Sequence, residues 1–184
     1  VIAGPAPGDP YQAPPPGRPY AAEVGADPGA LRIGWLVDDP GGAVPTEPAC
    51  AAAVESALGL LEGLGHRIEA SVPDGLESEQ VVGNFTACFG AWTALDLAHF
   101  EALVGVPMVD GDVEPGTAAI AELGRSVTAV EYLEALDRLQ TWSRGVAAWW
   151  EDHDVLVLPT MPVLPTPLGA FAATPDNPLA EMVM

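Results

Sequence analysis

The chain has 184 residues, 49% of them hydrophobic, and a formal net charge of −20. That length suits one domain with a sizeable core. The charge comes from 26 acids against six cations, all arginine, and it argues against nucleic acid or an anionic membrane surface, which both need a basic footprint. No run of about 18 apolar residues reads as a membrane span. The opening VIAGPAPGDP lacks the basic start of a signal peptide, so a cytoplasmic chain with an acidic, self-repelling surface is expected. It begins with Val1 rather than methionine, which reads as a fragment or a processed chain.

Residues 1–30 are rich in Pro, Gly and Ala, with Pro14, Pro15 and Pro16 in a row, a run that excludes helix or central strand. Tyr11 and Tyr20 suit an irregular segment docked on a domain of residues 31–184. Leu31 to Val37 reads as a strand, ended by turn chemistry at Asp38 to Gly42. Thr46 is a good N-cap for a helix in which Cys50, Ala53, Val54, Ala57, Leu58, Leu61 and Leu64 recur at helical spacing, and Gly65 suits its C-terminal end. His66 to Val72 reads as the next strand. Strand, helix and strand make a right-handed βαβ unit, so this part of the sheet is expected to be parallel.

Asp74 with Glu77 signals a helix start, and no proline interrupts Leu76 to about Leu103. Val81, Val82, Phe85, Phe89 and Trp92 mark one apolar face, with Gly83 and Gly90 as points of close packing or a break. A short helix is expected over Pro115–Arg125. Thr128 and Glu131 form a capping box for a long helix ending near Glu151. It delivers the chain into DVLVLPTMPVLPTPLG, residues 154–169. There Val155 to Leu158 reads as a strand buried on both faces, closed by Pro159. Ligands of open α/β sheets bind beyond the carboxyl ends of the strands, which places Thr160 and Met161 where a substrate would lie.

Other groups read as structure. Glu151 to Asp154 is an acid–His–acid run, but consecutive residues at a helix end point in different directions. Asp110, Asp112 and Glu114 resemble the start of a calcium loop, yet Pro115 and Ala121 stand where that loop needs Gly and Glu. Cys50 and Cys88 read as two buried, reduced thiols, with no metal-ligand spacing. Neither a metal nor another cofactor is expected.

Several segments, in order, resemble the amidase signature family. VIAGPAPGDPYQAPPP is similar to the stretch that follows the family's signature core. LRIGWLVDD, a helix and LEGLGHRIEAS are similar to its strand–helix–strand excursion. GTAAIAELGRSVTAVEYLEALDRLQ is similar to its long helical region. DVLVLPTMPVLPTPLG resembles the D-x-L-x-x-P-T segment that borders its active site. The resemblance implies an α/β/α fold around a mixed sheet covered by helices. It also implies hydrolysis of a carboxamide C–N bond by a serine, a bridging serine before a cis peptide, and a lysine base.

That catalytic group cannot be assigned here. A lysine base works by losing its proton, arginine stays protonated, and this chain has no lysine. Ser56, Ser71, Ser78, Ser126 and Ser143 match no Gly/Ser-rich motif. The expectation is therefore an internal to C-terminal part of a single amidase domain, truncated at both ends and inactive alone. It contributes sheet and pocket wall to an enzyme acting on a small-molecule amide, and a homodimer is compatible with it. Thr160, Met161, Pro162 and Trp92 are the candidate substrate-binding residues. The alternatives are a non-enzymatic interaction domain using the proline-rich ends, and the amidase subunit of a tRNA-dependent amidotransferase.

Overall fold

A computed structural model describes residues 4–38, 40–41, 44–76, 79–109, 111–174 and 176–180. The chain divides into two compact units, residues 1–30 and residues 31–184. Among the described residues of the first unit the only regular element is a 3-10 turn, Tyr20–Glu23, preceded by Pro19. Arg18 forms an ion pair with Glu23, and the Asp9 carboxylate accepts from the Ala6 amide at 2.6 Å. Tyr11 and Tyr20 are both exposed.

The second unit runs β1 (Arg32–Trp35), α1 (Pro48–Gly63), β2 (Arg67–Glu69), α2 (Glu79–Val104), α3 (Pro115–Ser126), α4 (Ala129–Trp149) and β3 (Val155–Val157). The three strands form a parallel sheet in the order β2-β1-β3. From β1 the chain crosses to β2 on one side, then returns past β1 to β3 on the other. Right-handed crossovers in opposite directions put α1 and the α2–α4 group on opposite faces of the sheet. The result is the α/β/α layering expected from the sequence.

Element ends follow local chemistry, with one correction. Thr46 does not cap α1. Its hydroxyl instead donates to the Val37 carbonyl at 2.9 Å, the helix begins at Pro48, and Glu47 stands at the N-cap without a side-chain cap. Proline suits that first position because its missing N–H would have no helical partner. At the far end Gly65 takes a φ of 92°. The Gly65 and His66 amides donate back to the Glu62 and Leu61 carbonyls, a Schellman closure that favours glycine. The capping box of α4 forms, with Thr128 Oγ1 accepting from the Glu131 amide and the Glu131 carboxylate accepting from the Thr128 amide. The expected start of α2 involves Glu77, which lies outside the described residues.

The core is small. Ile33, Val54, Leu97, Ile120, Ala121 and Ala135 are among its buried apolar side chains, and Ile33 and Pro73 are fully buried. α2 packs on α3 and α4. Gly90 and Gly124 let α2 and α3 touch backbone to backbone, and a Cβ on Gly124 would overlap the Gly90 carbonyl.

Two burial expectations are corrected. β3 is not buried on both faces: Val155, Leu156 and Val157 are half-buried and Leu158 is 50% exposed. Among the described residues β3 pairs only with β1, so it is an edge strand with no neighbouring strand to shield its outer side. Cys50 and Cys88 are free but half-buried rather than buried. The partial burial of Cys88 pushes its thiol pKa up.

Candidate functional site

A bonded framework holds the segment leaving β3. Arg32 and Asp154 make a two-pronged ion pair, with the arginine Nη2 2.9 Å from Oδ1 and its Nε 3.1 Å from Oδ2. The Arg32 amide also donates to Oδ2 at 2.8 Å, and the Asp154 amide donates to the Arg32 carbonyl at 2.8 Å. The guanidinium, then its backbone amide, hold the Asp154 carboxyl down at about 2. One residue earlier the His153 ring is buried and lies flat on Trp149, with centroids 3.8 Å apart. Its Nδ1 is 3.2 Å from the Trp149 carbonyl oxygen and its Nε2 is 2.5 Å from Glu69 Oε1.

Trp149 fits because β1 carries Gly34 opposite it, where a Cβ would overlap both the indole ring and the Ser71 carbonyl oxygen. The indole N–H donates to Ser71 Oγ at 2.9 Å. So α4, β1 and β2 together fix the point where the chain enters β3. The acid–His–acid run at 151–154 is this clamp. His153 meets Trp149 and Glu69, whereas Asp154 meets Arg32, whose Nη1 also donates to the Glu151 carbonyl at 3.0 Å.

At the other end of the sheet, β1 and β3 leave side by side. The strand order 2-1-3 makes this gap the topological switch point, where open α/β sheets bind ligands. The Leu36 amide donates to the Val157 carbonyl at 3.0 Å and the Glu47 amide to the Pro162 carbonyl at 2.7 Å. With the Thr46–Val37 bond, these ties join the exit of β1, the start of α1 and the loop after β3. Between α1 and that loop lies a cavity of about 640 Å³. Cys50, Ala53, Val54 and Ala57 wall it from the helix, and Pro159, Thr160 and Met161 wall it from the loop, with Phe171 closing one side.

Three of the four sequence-predicted residues meet here. Thr160 and Met161 line the cavity, and Pro162 is held beside them through its carbonyl. Trp92 lies elsewhere, on α2, where its indole N–H donates to the Tyr132 hydroxyl at 3.1 Å. It is also not helix core. Trp92 and Phe89 are both exposed, and the buried positions of α2 among the described residues are Gly90 and Leu97. The wall from α1 was not singled out from the sequence. Small residues at helical spacing, Cys50, Ala53 and Ala57, were the available signal.

The sequence pattern of the family described as Amidase matches residues 1–183. The chain belongs to the amidase family. It is 32% identical over 162 residues to the 6-aminohexanoate-cyclic-dimer hydrolase of Paenarthrobacter ureafaciens, covering 88% of this chain. The hydrolase of that name from Pseudomonas sp. (strain NK87) matches with the same identity and extent. This amidase chain spans 33% of the length of each of these relatives. A solved structure of 6-aminohexanoate cyclic dimer hydrolase complexed with substrate superposes with a TM-score of 0.81 at 30% identity. That match covers 98% of this chain and 41% of the solved one. Among the described residues, no helix is long and apolar enough to cross a membrane.

Proposed function

We propose that the chain is the pocket wall and part of the sheet of an amidase that hydrolyses a carboxamide C–N bond. Residues 31–184 are part of one amidase domain in this reading. The observation that carries the proposal is the Pro159–Met161 turn. It stands at the carboxyl end of β3, beside the switch point of the sheet, and lines the cavity against α1.

The chemistry assigned to this part is binding and positioning. Thr160 offers one hydroxyl to a carboxamide, which has both donors and acceptors. Ala53, Val54, Ala57 and Met161 offer apolar surface to the rest of the substrate. Such a lining favours a small amide with a methylene skeleton, in keeping with the name of the two hydrolase relatives. Pro159 and Pro162 limit backbone freedom around Thr160, so the loop loses little entropy on binding.

Thr160 is not the nucleophile. A hydroxyl needs a base to take its proton, and the lysine base of the family has no counterpart in this sequence. The serine, bridging serine and lysine belong to parts of the fold this chain does not span. No nucleic acid takes part, no cofactor is used, and the setting is the cytoplasm.

The test has two arms. The purified chain alone is incubated with linear and cyclic amides, and release of amine is followed; no turnover is expected. The chain is then exchanged for the matching segment of the Paenarthrobacter hydrolase, and Thr160→Val and Met161→Trp are compared with the unsubstituted chimera. A raised KM in both supports the pocket wall. Turnover by the chain alone, or an unchanged KM in both variants, overturns it.

A further inference from the structure

From Gln80 to Leu95 the sequence holds no charged residue, so this stretch of α2 carries no charge on any face and is mostly apolar. A helix of that composition belongs inside a protein, yet only one side of α2 is covered. Gly90 and Leu97 are buried, with Gly90 set against α3. On the uncovered side Val82, Phe85, Phe89 and Trp92 follow one another at helical spacing and are 47–66% exposed.

The stripe is also built to lose its water. Phe85 and Phe89 stack with centroids 5.7 Å apart and planes within 9° of parallel, which makes a flat aromatic surface. The indole N–H of Trp92 is already bonded to Tyr132. The hydroxyls of Thr86 and Thr93 donate back to the Val82 and Phe89 carbonyls at 2.8 Å. Burying this face would therefore strand none of these polar groups, which removes the usual cost of covering a helix.

We infer that the Val82–Trp92 stripe of α2 is a docking face for the part of the amidase fold that this chain does not span. The inference rests on the pocket-wall reading. The occupant follows from length and charge. The hydrolase relatives are about three times longer than the matched segment, and the rest of such a fold must seat itself on this third. A second copy of this chain is disfavoured, because each copy brings a net charge of −20 and like charges repel on close approach.

The experiment reads the stripe directly. Hydroxyl-radical footprinting with mass spectrometry measures oxidation of Phe85, Phe89 and Trp92 in the purified chain and in the chimera with the Paenarthrobacter hydrolase. Oxidation is expected to fall by roughly tenfold in the chimera, in step with the surface lost. Equal oxidation in both overturns the docking face, and so does a chimera without a cooperative melt, because a fitted face accepts the rest of its fold. Sedimentation of the chain alone is the second measurement. A monomer is expected, whereas a dimer that Phe85→Gln with Phe89→Gln dissolves would make a second copy the occupant and overturn the inference. Amide hydrolysis by the chimera is scored separately. Protection without hydrolysis keeps the docking face and sinks the pocket wall, and hydrolysis without protection does the reverse.

Discussion

Trp149 and Trp92 sit on helices that pack against each other, α4 and α2, and they are used in opposite ways. Trp149 is finished: its ring rests on His153, its edge fits the space left by Gly34, and its N–H is bonded to Ser71. Trp92 is bonded at its N–H, but its ring is 55% exposed in line with Val82, Phe85 and Phe89. One region of the molecule closes on itself and the other is exposed apolar surface. If the docking inference holds, the difference separates what this chain settles alone from what further polypeptide would cover. The clamp needs only β1, β2, α4 and the start of β3, all present here, whereas the outer face of α2 has the composition of a core helix without the core.

The largest expected effect tests the covered side of α2. In Gly124→Val the new side chain meets the Gly90 backbone, so loss of the cooperative melt, or destabilisation by about 3 kcal/mol, is expected in urea unfolding. A cost under about 1 kcal/mol would mean that α2 and α3 can separate freely, and the contrast between the two sides of α2 would fail. Next is the clamp. Trp149→Ala is expected to cost about 3 kcal/mol, the low end for an aromatic truncation, because the ring is half-buried rather than buried.

A smaller effect is expected from pH. Arg32 holds the Asp154 carboxyl at about 2, below the ordinary aspartate value of 3.8. A depressed carboxyl contributes stability above its unfolded-state pKa and loses it as pH falls toward the folded one. The melting temperature should thus drop between pH 3.8 and about 2 more steeply in the natural chain than in Asp154→Asn. Parallel curves would show that the pair does not tighten the clamp. The smallest effect is reserved for the outer stripe. Phe85→Gln is expected to change the stability of the chain alone by no more than about 0.5 kcal/mol, as at other exposed positions. A cost of about 2 kcal/mol would show that the stripe is already covered.

The elements most legible in the sequence were those whose signals are local. The Thr128–Glu131 box and the apolar run at Val155 depend on neighbours a few residues away, and both appear where the pattern puts them. Thr46 misled because two local signals competed: Pro48 fixes the first turn, which leaves the threonine hydroxyl free to bond the Val37 carbonyl. The burial of β3 was misread because an apolar run reports what a strand prefers, not whether a neighbour stands on its second edge. Trp92 was placed at the pocket for a similar reason. Its helical face is readable, but the direction of that face is set by α3 and α4, through a contact of Gly90 with Gly124; the sequence marked Gly90 as a point of close packing but did not name its partner. Thr160 and Met161 came out beside the cavity because the strand-end rule depends on topology, and the βαβ pattern made the topology readable. His153 was legible only as one of four residues, since its partner Glu69 lies 84 positions away.

The Arg32–Asp154 pair spans 122 positions, and this has a consequence for the order of assembly. β1 and β2 can meet as soon as α1 is made, whereas β3 can join only after α2, α3 and α4 have also been made. Closing so long a loop is entropically demanding and slows folding. Until it closes, β1 presents an open edge while Val155 to Leu158 has no mate, a combination that invites pairing between nascent chains. The loop side of the cavity wall therefore forms later than the β1–β2 pair, and its yield should depend on how crowded with nascent chains the site of synthesis is.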